Sequence, residues 1–173
     1  MKTQKRLLTW ILVAVLVVTT LALVACVDKP EPVQLTDLTL PELKSNQMAV
    51  IIKNGDNDYT SYLVTLGRGG TDSKTAEGVL DYLVEVSGLT LECDGTGSSK
   101  MINKIGNIAP DPNSSDYQYV EIFTSNSDFY GDWAGVTTLE VGEITLKSAS
   151  KGIHELEVKA GDILYFQISV FSW

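Results

Sequence analysis

The stretch "GDILYFQISVF", residues 161–171, is typical of one long β-strand that follows a tight Gly161-Asp162 turn. Side chains along a strand point alternately to its two faces. One face here is wholly apolar, and the other mixes apolar, aromatic and polar side chains. The apolar face carries Leu164, Phe166, Ile168 and Val170, and the mixed face carries Ile163, Tyr165, Gln167, Ser169 and Phe171. We expect the apolar face to lie in the core.

A second strand with two such faces begins the stretch "YQYVEIFTSNSDFYGDW", residues 117–133. Val120 and Ile122 point to one side, and aromatic residues point to the other. Exposed aromatic patches usually mark binding surfaces, but loops or the N-terminal segment could instead cover this face as a small second core. The candidate ligand-binding residues are Tyr117, Tyr119, Phe123, Tyr130, Trp133 and Tyr165.

The remaining patterns predict one helix among many strands. Met48–Lys53 and Tyr59–Leu66 have strand character, and Asn54-Gly55 between them is a strong hairpin signal. Thr75–Val86 has helical periodicity, with Ser73 or Thr75 available as N-cap and a terminating Gly88. One helix against about seven or eight strands predicts an α+β domain with its main helix packed on a mostly antiparallel sheet.

The N-terminus is typical of an export signal. A basic start precedes the uncharged run of residues 7–25, and the run ends in "LVAC", which resembles a bacterial lipobox. The resemblance implies that residues 1–25 are a signal peptide and that Cys26 carries a lipid in the cell membrane, facing the extracytoplasmic side. A plain cleaved signal or an uncleaved membrane helix are the alternatives. Residues 26–46, with three prolines, would form an extended tether to a single domain at 47–173.

Charge and composition exclude several function classes. The chain has a net charge of −9, and removing the signal with its three basic residues and no acids leaves −12. A body this acidic lacks the basic face that nucleic acid needs. One histidine, His154 in a strand-like pattern, and a lone Cys93 on an apolar strand face cannot make a zinc site. Turn chemistry explains the Asp/Asn clusters at 54–58 and 111–116 without calcium, so we expect no metal, cofactor or catalytic residues.

The order of these elements resembles a domain of unknown function in bacterial surface lipoproteins, related to the C-terminal domain of transcobalamin and intrinsic factor. The resemblance covers about residues 47–170 and depends on short motifs. They are Thr75, Leu80 and Leu83 of the helix, Ile102 and Gly106 of "INKIG", and Gly161-Asp162. It implies a β-grasp-like fold outside the cell and, from the vertebrate relatives, a corrinoid-like ligand.

Two functions therefore remain open. The first is a lipid-anchored binding module for a corrinoid-like, small aromatic or glycan ligand, because flat ligands and sugar faces both stack on aromatic rings. The second is a surface protein-interaction or adhesion module without a small ligand. An enzyme is not expected, because the chain shows no nucleophile–base pair, metal set or cofactor loop.

Replacing Cys26 with alanine tests the lipobox prediction. The variant should stay unprocessed and unacylated, because a thiol is needed to carry the lipid. Metabolic labelling with a fatty acid, followed by mass spectrometry of the N-terminus, measures both. A Cys26→Ala protein that is still acylated and shortened would refute the prediction.

Overall fold

A computed structural model describes residues 29–39 and 42–171. The predicted signal peptide and Cys26 lie outside the described residues. The described chain forms nine strands and one α-helix. They are β1 Val33–Leu35, β2 Gln47–Gly55, β3 Asp58–Thr65, α1 Ala76–Ser87, β4 Leu91–Asp94, β5 Met101–Ile105, β6 Tyr117–Thr124, β7 Thr138–Val141, β8 Ile144–Ser148 and β9 Ile163–Phe171.

Seven of the strands form one mixed sheet in the order β1-β3-β2-β9-β6-β8-β7, and β4 pairs with β5 separately. The seven-stranded sheet curls into a half-barrel. Its central strand is β9, which runs parallel to β2 and antiparallel to β6. The predicted last strand therefore joins the N-terminal half of the sheet to the C-terminal half.

The predicted α+β, β-grasp-like class is wrong, because the molecule is mostly β with one short helix. The 12-residue helix α1 supplies four buried side chains to the first core cluster, Ala76, Val79, Leu80 and Leu83. It shares that face of the sheet with residues from β5 and from the loop before β9, such as Ile102, Ile153 and Leu156. One helix signal therefore does not establish an α+β class when the other elements are all strands.

The helix itself forms where its periodicity predicts. The side chain of Thr75 accepts a hydrogen bond from the Gly78 amide at 3.3 Å, which caps the first turn. Gly88 ends the helix with φ 69°, a left-handed conformation that glycine adopts without strain. Val84, which helical periodicity predicts on the same face as Leu80 because it lies four residues later, is 40% exposed.

The β2–β3 hairpin turns later than predicted. Gly55 pairs with Asp58, so the turn consists of Asp56 and Asn57 rather than Asn54-Gly55, and the register shifts between Lys53 and Gly55. Asn57 takes the left-handed backbone conformation with φ 56°. Asparagine tolerates this conformation better than most residues, and the bulge absorbs the extra residue.

The opposite face of the sheet is a second core. Side chains from both ends of the sheet, Leu35 of β1 and Val141 of β7, belong to the same cluster. Its buried members are Ala49, Ile51, Tyr59, Phe123, Val141, Leu146, Ile163 and Tyr165. The mixed face of β9 is therefore covered along its first half.

Part of the predicted tether belongs to this domain. Val33 and Leu35 of β1 pair with Ser61 and Tyr59 of β3. Leu35, Leu38 and Leu43 are partly buried against the second core. The segment thus covers part of the second core. Prolines and mixed charges in this segment indicate an extended tether. The burial of its leucines cannot be predicted from the segment alone, because it depends on strands that are distant in the sequence.

Replacing Leu35 and Leu38 together with alanine should lower the free energy of unfolding by about 3 kcal/mol, since each half-buried leucine contributes about half of a fully buried one. Urea denaturation of the mature chain measures the change. Val33→Ala is the matched control in the same strand, because Val33 is 52% exposed. If the double variant is as stable as the control, residues 35–38 are a free tether.

Candidate functional site

The six predicted aromatic residues separate into two groups. Phe123 and Tyr165 are 0% and 2% exposed. Their rings meet edge to face at 5.6 Å between centroids, with an interplanar angle of 81°. Burial raises the pKa of the Tyr165 phenol, which donates a hydrogen bond to Gln167 at 3.3 Å. Both side chains belong to the second core and offer no surface to a ligand.

Tyr130 has a structural role at the end of β8. Its hydroxyl lies 2.8 Å from the Thr145 carbonyl oxygen and 3.2 Å from that of Ser125. The ammonium of Lys147 lies 5.3 Å from its ring centroid. Burial, with a smaller contribution from Glu140, raises the pKa of its phenol. Through these two hydrogen bonds, Tyr130 connects the turn after β6 to β8.

Tyr117, Tyr119 and Trp133 remain accessible. Tyr117 is 59% exposed and stacks on half-buried Tyr119, with ring centroids 6.3 Å apart and planes 24° apart. Burial is the main cause of the raised pKa of Tyr119. Trp133 is 48% exposed, in the loop before β7. We call these three side chains the aromatic platform.

Trp133 is positioned by a glycine. A Cβ atom built at Gly131 would lie 2.2 Å from a carbon of the Trp133 ring, so the ring occupies the space of the missing side chain. The Gly131 amide donates a 2.8 Å hydrogen bond to the carbonyl of Ser148, the last residue of β8. Gly131 thus lets the indole lie against the backbone beside the end of β8.

A cleft of about 270 Å³ lies between β6 and the chain that leaves β8. Tyr119 and Trp133 both line it, so it joins two members of the aromatic platform. The full lining is Tyr119, Val120, Glu121, Ile122, Trp133, Ser148, Ala149, Ser150, Lys151 and Gly152. We call it the Trp133 cleft.

The cleft forms because β8 departs from β6 early. β8 pairs with β6 only at the C-terminal end of β6, where Phe123 faces Ser148. The Ala149 amide then donates to the Ile122 carbonyl at 2.8 Å. No other described strand is hydrogen-bonded to this edge of β6. Because alternate residues of an antiparallel strand direct their backbone groups to opposite sides, the N–H and C=O groups of Gln118 and Val120 point to this open edge.

Glu121 is a buried acid in the wall of the cleft. It is 8% exposed. One carboxylate oxygen accepts a 2.5 Å hydrogen bond from Ser148, and the other accepts a hydrogen bond from Ser169 of β9. The Gln167 amide donates to Ser169 at 3.3 Å, which extends the network toward Tyr165. Alternation along the strand places Glu121 on the same face as Tyr119 and Phe123, but it gives no sign of these partners.

A second polar cluster joins the start of α1 to the loop before β9. Glu77 accepts a hydrogen bond from Lys100 at 2.5 Å and lies 2.6 Å from Nδ1 of His154. His154 is in a turn, in which Leu156 N donates to Gly152 O, and not in the predicted strand. Ile153 and Leu156 are both buried three residues apart, a spacing that fits a turn better than a strand.

Hydrogen bonds from Lys100 and then His154 hold the pKa of Glu77 below its usual value. The same contact raises the pKa of Lys100. Burial is the main cause of the raised pKa of half-buried Cys93, so its thiolate is disfavoured. Residues 29–39 and 42–171 contain no group of three or more His, Cys, Asp or Glu arranged to hold a metal ion.

No helix among the described residues has the length and hydrophobicity required to cross a membrane.

No family model matches this sequence, and a search of curated proteins finds no match either.

Replacing Glu77 with glutamine should remove stability in a pH-dependent way. Because the folded pKa of Glu77 lies below its unfolded value of about 4.3, its contribution is complete above that pH and is lost as the pH falls through the folded pKa. The difference in unfolding free energy between wild type and Glu77→Gln should therefore be larger at about pH 5 than at about pH 3.

Urea denaturation at the two pH values measures this difference. Glu85→Gln is the control, because Glu85 lies exposed on the same helix and takes part in none of the described ion pairs. A Glu77→Gln difference that is the same at both pH values would contradict the assigned contacts.

Proposed function

We propose that this chain is an extracytoplasmic binding module, anchored to the membrane through a lipid on Cys26, and that the aromatic platform with the Trp133 cleft binds a glycan. The observation that carries the proposal is the pairing of two accessible aromatic rings, Tyr119 and Trp133, with a buried acid in one cleft. Sugar rings present an apolar face that stacks on aromatic side chains and hydroxyls that need polar partners.

The size of the cleft favours a sugar unit over a corrinoid. Pockets that enclose drug-sized ligands usually measure about 300–1,000 Å³, whereas the Trp133 cleft measures about 270 Å³. A corrinoid macrocycle is far larger than one sugar ring. Two of the residues predicted to stack on such a ligand, Phe123 and Tyr165, are also buried.

The arrangement of the platform favours a polymer over a single sugar. Tyr117 lies next to Tyr119 and is more exposed than it. A second sugar unit can therefore stack on Tyr117 while the first occupies the cleft. Beyond the cleft, no described strand is hydrogen-bonded to that edge of β6.

A protein partner is the second candidate, and the open edge of β6 favours it. The unpaired backbone groups of Gln118 and Val120 are the template that an extended peptide uses when it adds a strand to a sheet. On this proposal the aromatic platform would contact side chains of the added strand, and no sugar would be needed.

Two variants distinguish the candidates. Trp133→Ala should weaken glycan binding about tenfold, since one aromatic stacking contact is worth about 1 kcal/mol or more. Gln118→Pro removes the amide N–H on the open edge, where proline is tolerated, and should leave glycan binding unchanged. Isothermal titration calorimetry with soluble cell-envelope glycan fragments measures both affinities.

Trp133→Phe is the conservative control and should keep most of the affinity. Gln118→Ala is the control for Gln118→Pro, because it removes the side chain but keeps the backbone N–H. A Trp133→Ala variant that binds glycan as tightly as wild type would remove the assigned site. Loss of binding to a protein partner in Gln118→Pro but not in Gln118→Ala would favour strand addition instead.

A further inference from the structure

Glu121 is a buried acid whose side-chain hydrogen-bond partners are both neutral. The residue as a whole is 8% exposed, and both hydrogen bonds that its carboxylate accepts come from the hydroxyls of Ser148 and Ser169. None of the ion pairs among residues 29–39 and 42–171 includes it. A buried carboxylate without a cationic partner is costly, because hydroxyl donors satisfy its oxygens but leave its charge.

Lys151 is the cationic residue in the cleft wall, and it pairs with Glu155 rather than with Glu121. Lys151 lines the cleft, but its ammonium lies 3.8 Å from the Glu155 carboxylate, and both side chains are about half exposed. Lys147 lies over the ring of Tyr130. The charge of Glu121 is therefore available to a group that enters the cleft from outside.

The aromatic residues of the cleft favour a positive charge as well. Tyr119 and Trp133 line the same cleft as Glu121. The face of an aromatic ring attracts a cation, most strongly for tryptophan and more so where water is excluded. A carboxylate beside two aromatic rings is thus a combination that suits an ammonium group better than a neutral hydroxyl.

We propose that the unit of the glycan that enters the Trp133 cleft is an amino sugar with a free, positively charged amino group, held by Glu121 and by the rings of Tyr119 and Trp133. This inference rests on the proposed glycan-binding function and names the chemistry of its ligand. The amine would supply the charge that Glu121 lacks, and the sugar ring would extend from the cleft toward Tyr117.

Two matched probes test the proposal in the mature chain. One is a glucosamine oligosaccharide with free amines, and the other is the same oligosaccharide with its amines acetylated, which keeps the rings and removes the charge. Calorimetry at low ionic strength should show at least about tenfold tighter binding of the free-amine form. Added salt should weaken that binding alone, since screening acts on charge pairs.

Glu121→Gln should abolish the preference for the free amine and leave the affinity for the acetylated form unchanged. Glu143→Gln makes the same change of charge at an exposed residue between β7 and β8 and should behave as wild type. If Glu121→Gln does not fold, Trp133→Ala supplies the second measurement. It should reduce the preference for the free amine if the amine binds in the cleft, whereas a general attraction of the cationic probe to the acidic chain would leave that preference unchanged.

The outcomes separate this inference from the proposed function. Equal affinity for both oligosaccharides, lost in Trp133→Ala, would overturn the amino-group assignment and leave glycan binding intact. No binding of either oligosaccharide, with no binding of other envelope glycans, would overturn both. A lysine-containing peptide that binds where the amino sugar does not would overturn the choice of a glycan as the source of the amine.

Discussion

The pairing of β9 on both of its edges is the constraint on which the rest of the structure depends. On one side Ile163–Phe166 run parallel to Ala49–Ile52 of β2, and on the other side the whole strand runs antiparallel to β6. Leu164 and Phe166 enter the first core, and Ile163 and Tyr165 enter the second. Because side chains alternate strictly, a slip of one residue would exchange both faces at once. Two separate cores therefore fix one register, and that register also sets the position of β6.

The local patterns of β9, β6 and α1 could be predicted because alternation, capping residues and helical periodicity are properties of adjacent residues. The class of fold could not, because it depends on what covers the second face of the sheet. Leu35 and Leu38 provide that cover from a segment rich in proline and charge. Their burial is a consequence of the curl that brings β1 and β7 to one cluster, and no pattern within residues 26–46 encodes it.

Contacts between residues that are distant in the sequence also decide which residues form the candidate site, and for this reason the site was only partly predicted. Tyr119 and Phe123 lie on one face of β6, and alternation cannot distinguish them. Phe123 is buried because β8 faces it at Ser148, whereas Tyr119 borders the cleft because β8 has already turned away. Whether an aromatic residue belongs to the core or to a site thus depends on where a neighbouring strand ends. The glycine that admits the Trp133 ring was likewise visible in the sequence only as part of a turn.

Glu121 lies between Phe123, which belongs to the second core, and Tyr119, which lines the Trp133 cleft. It follows Tyr119 and precedes Phe123 at the strand period of two, so it points to the same face as the second core, just beyond Phe123. An apolar side chain at this position would extend that core and bury more surface at no electrostatic cost. The carboxylate instead needs hydroxyl donors from the strands on both sides of β6, and these leave its charge in place. The proposed amino-sugar ligand rests on this position, because a buried acid with neutral partners lies beside aromatic rings that attract a cation.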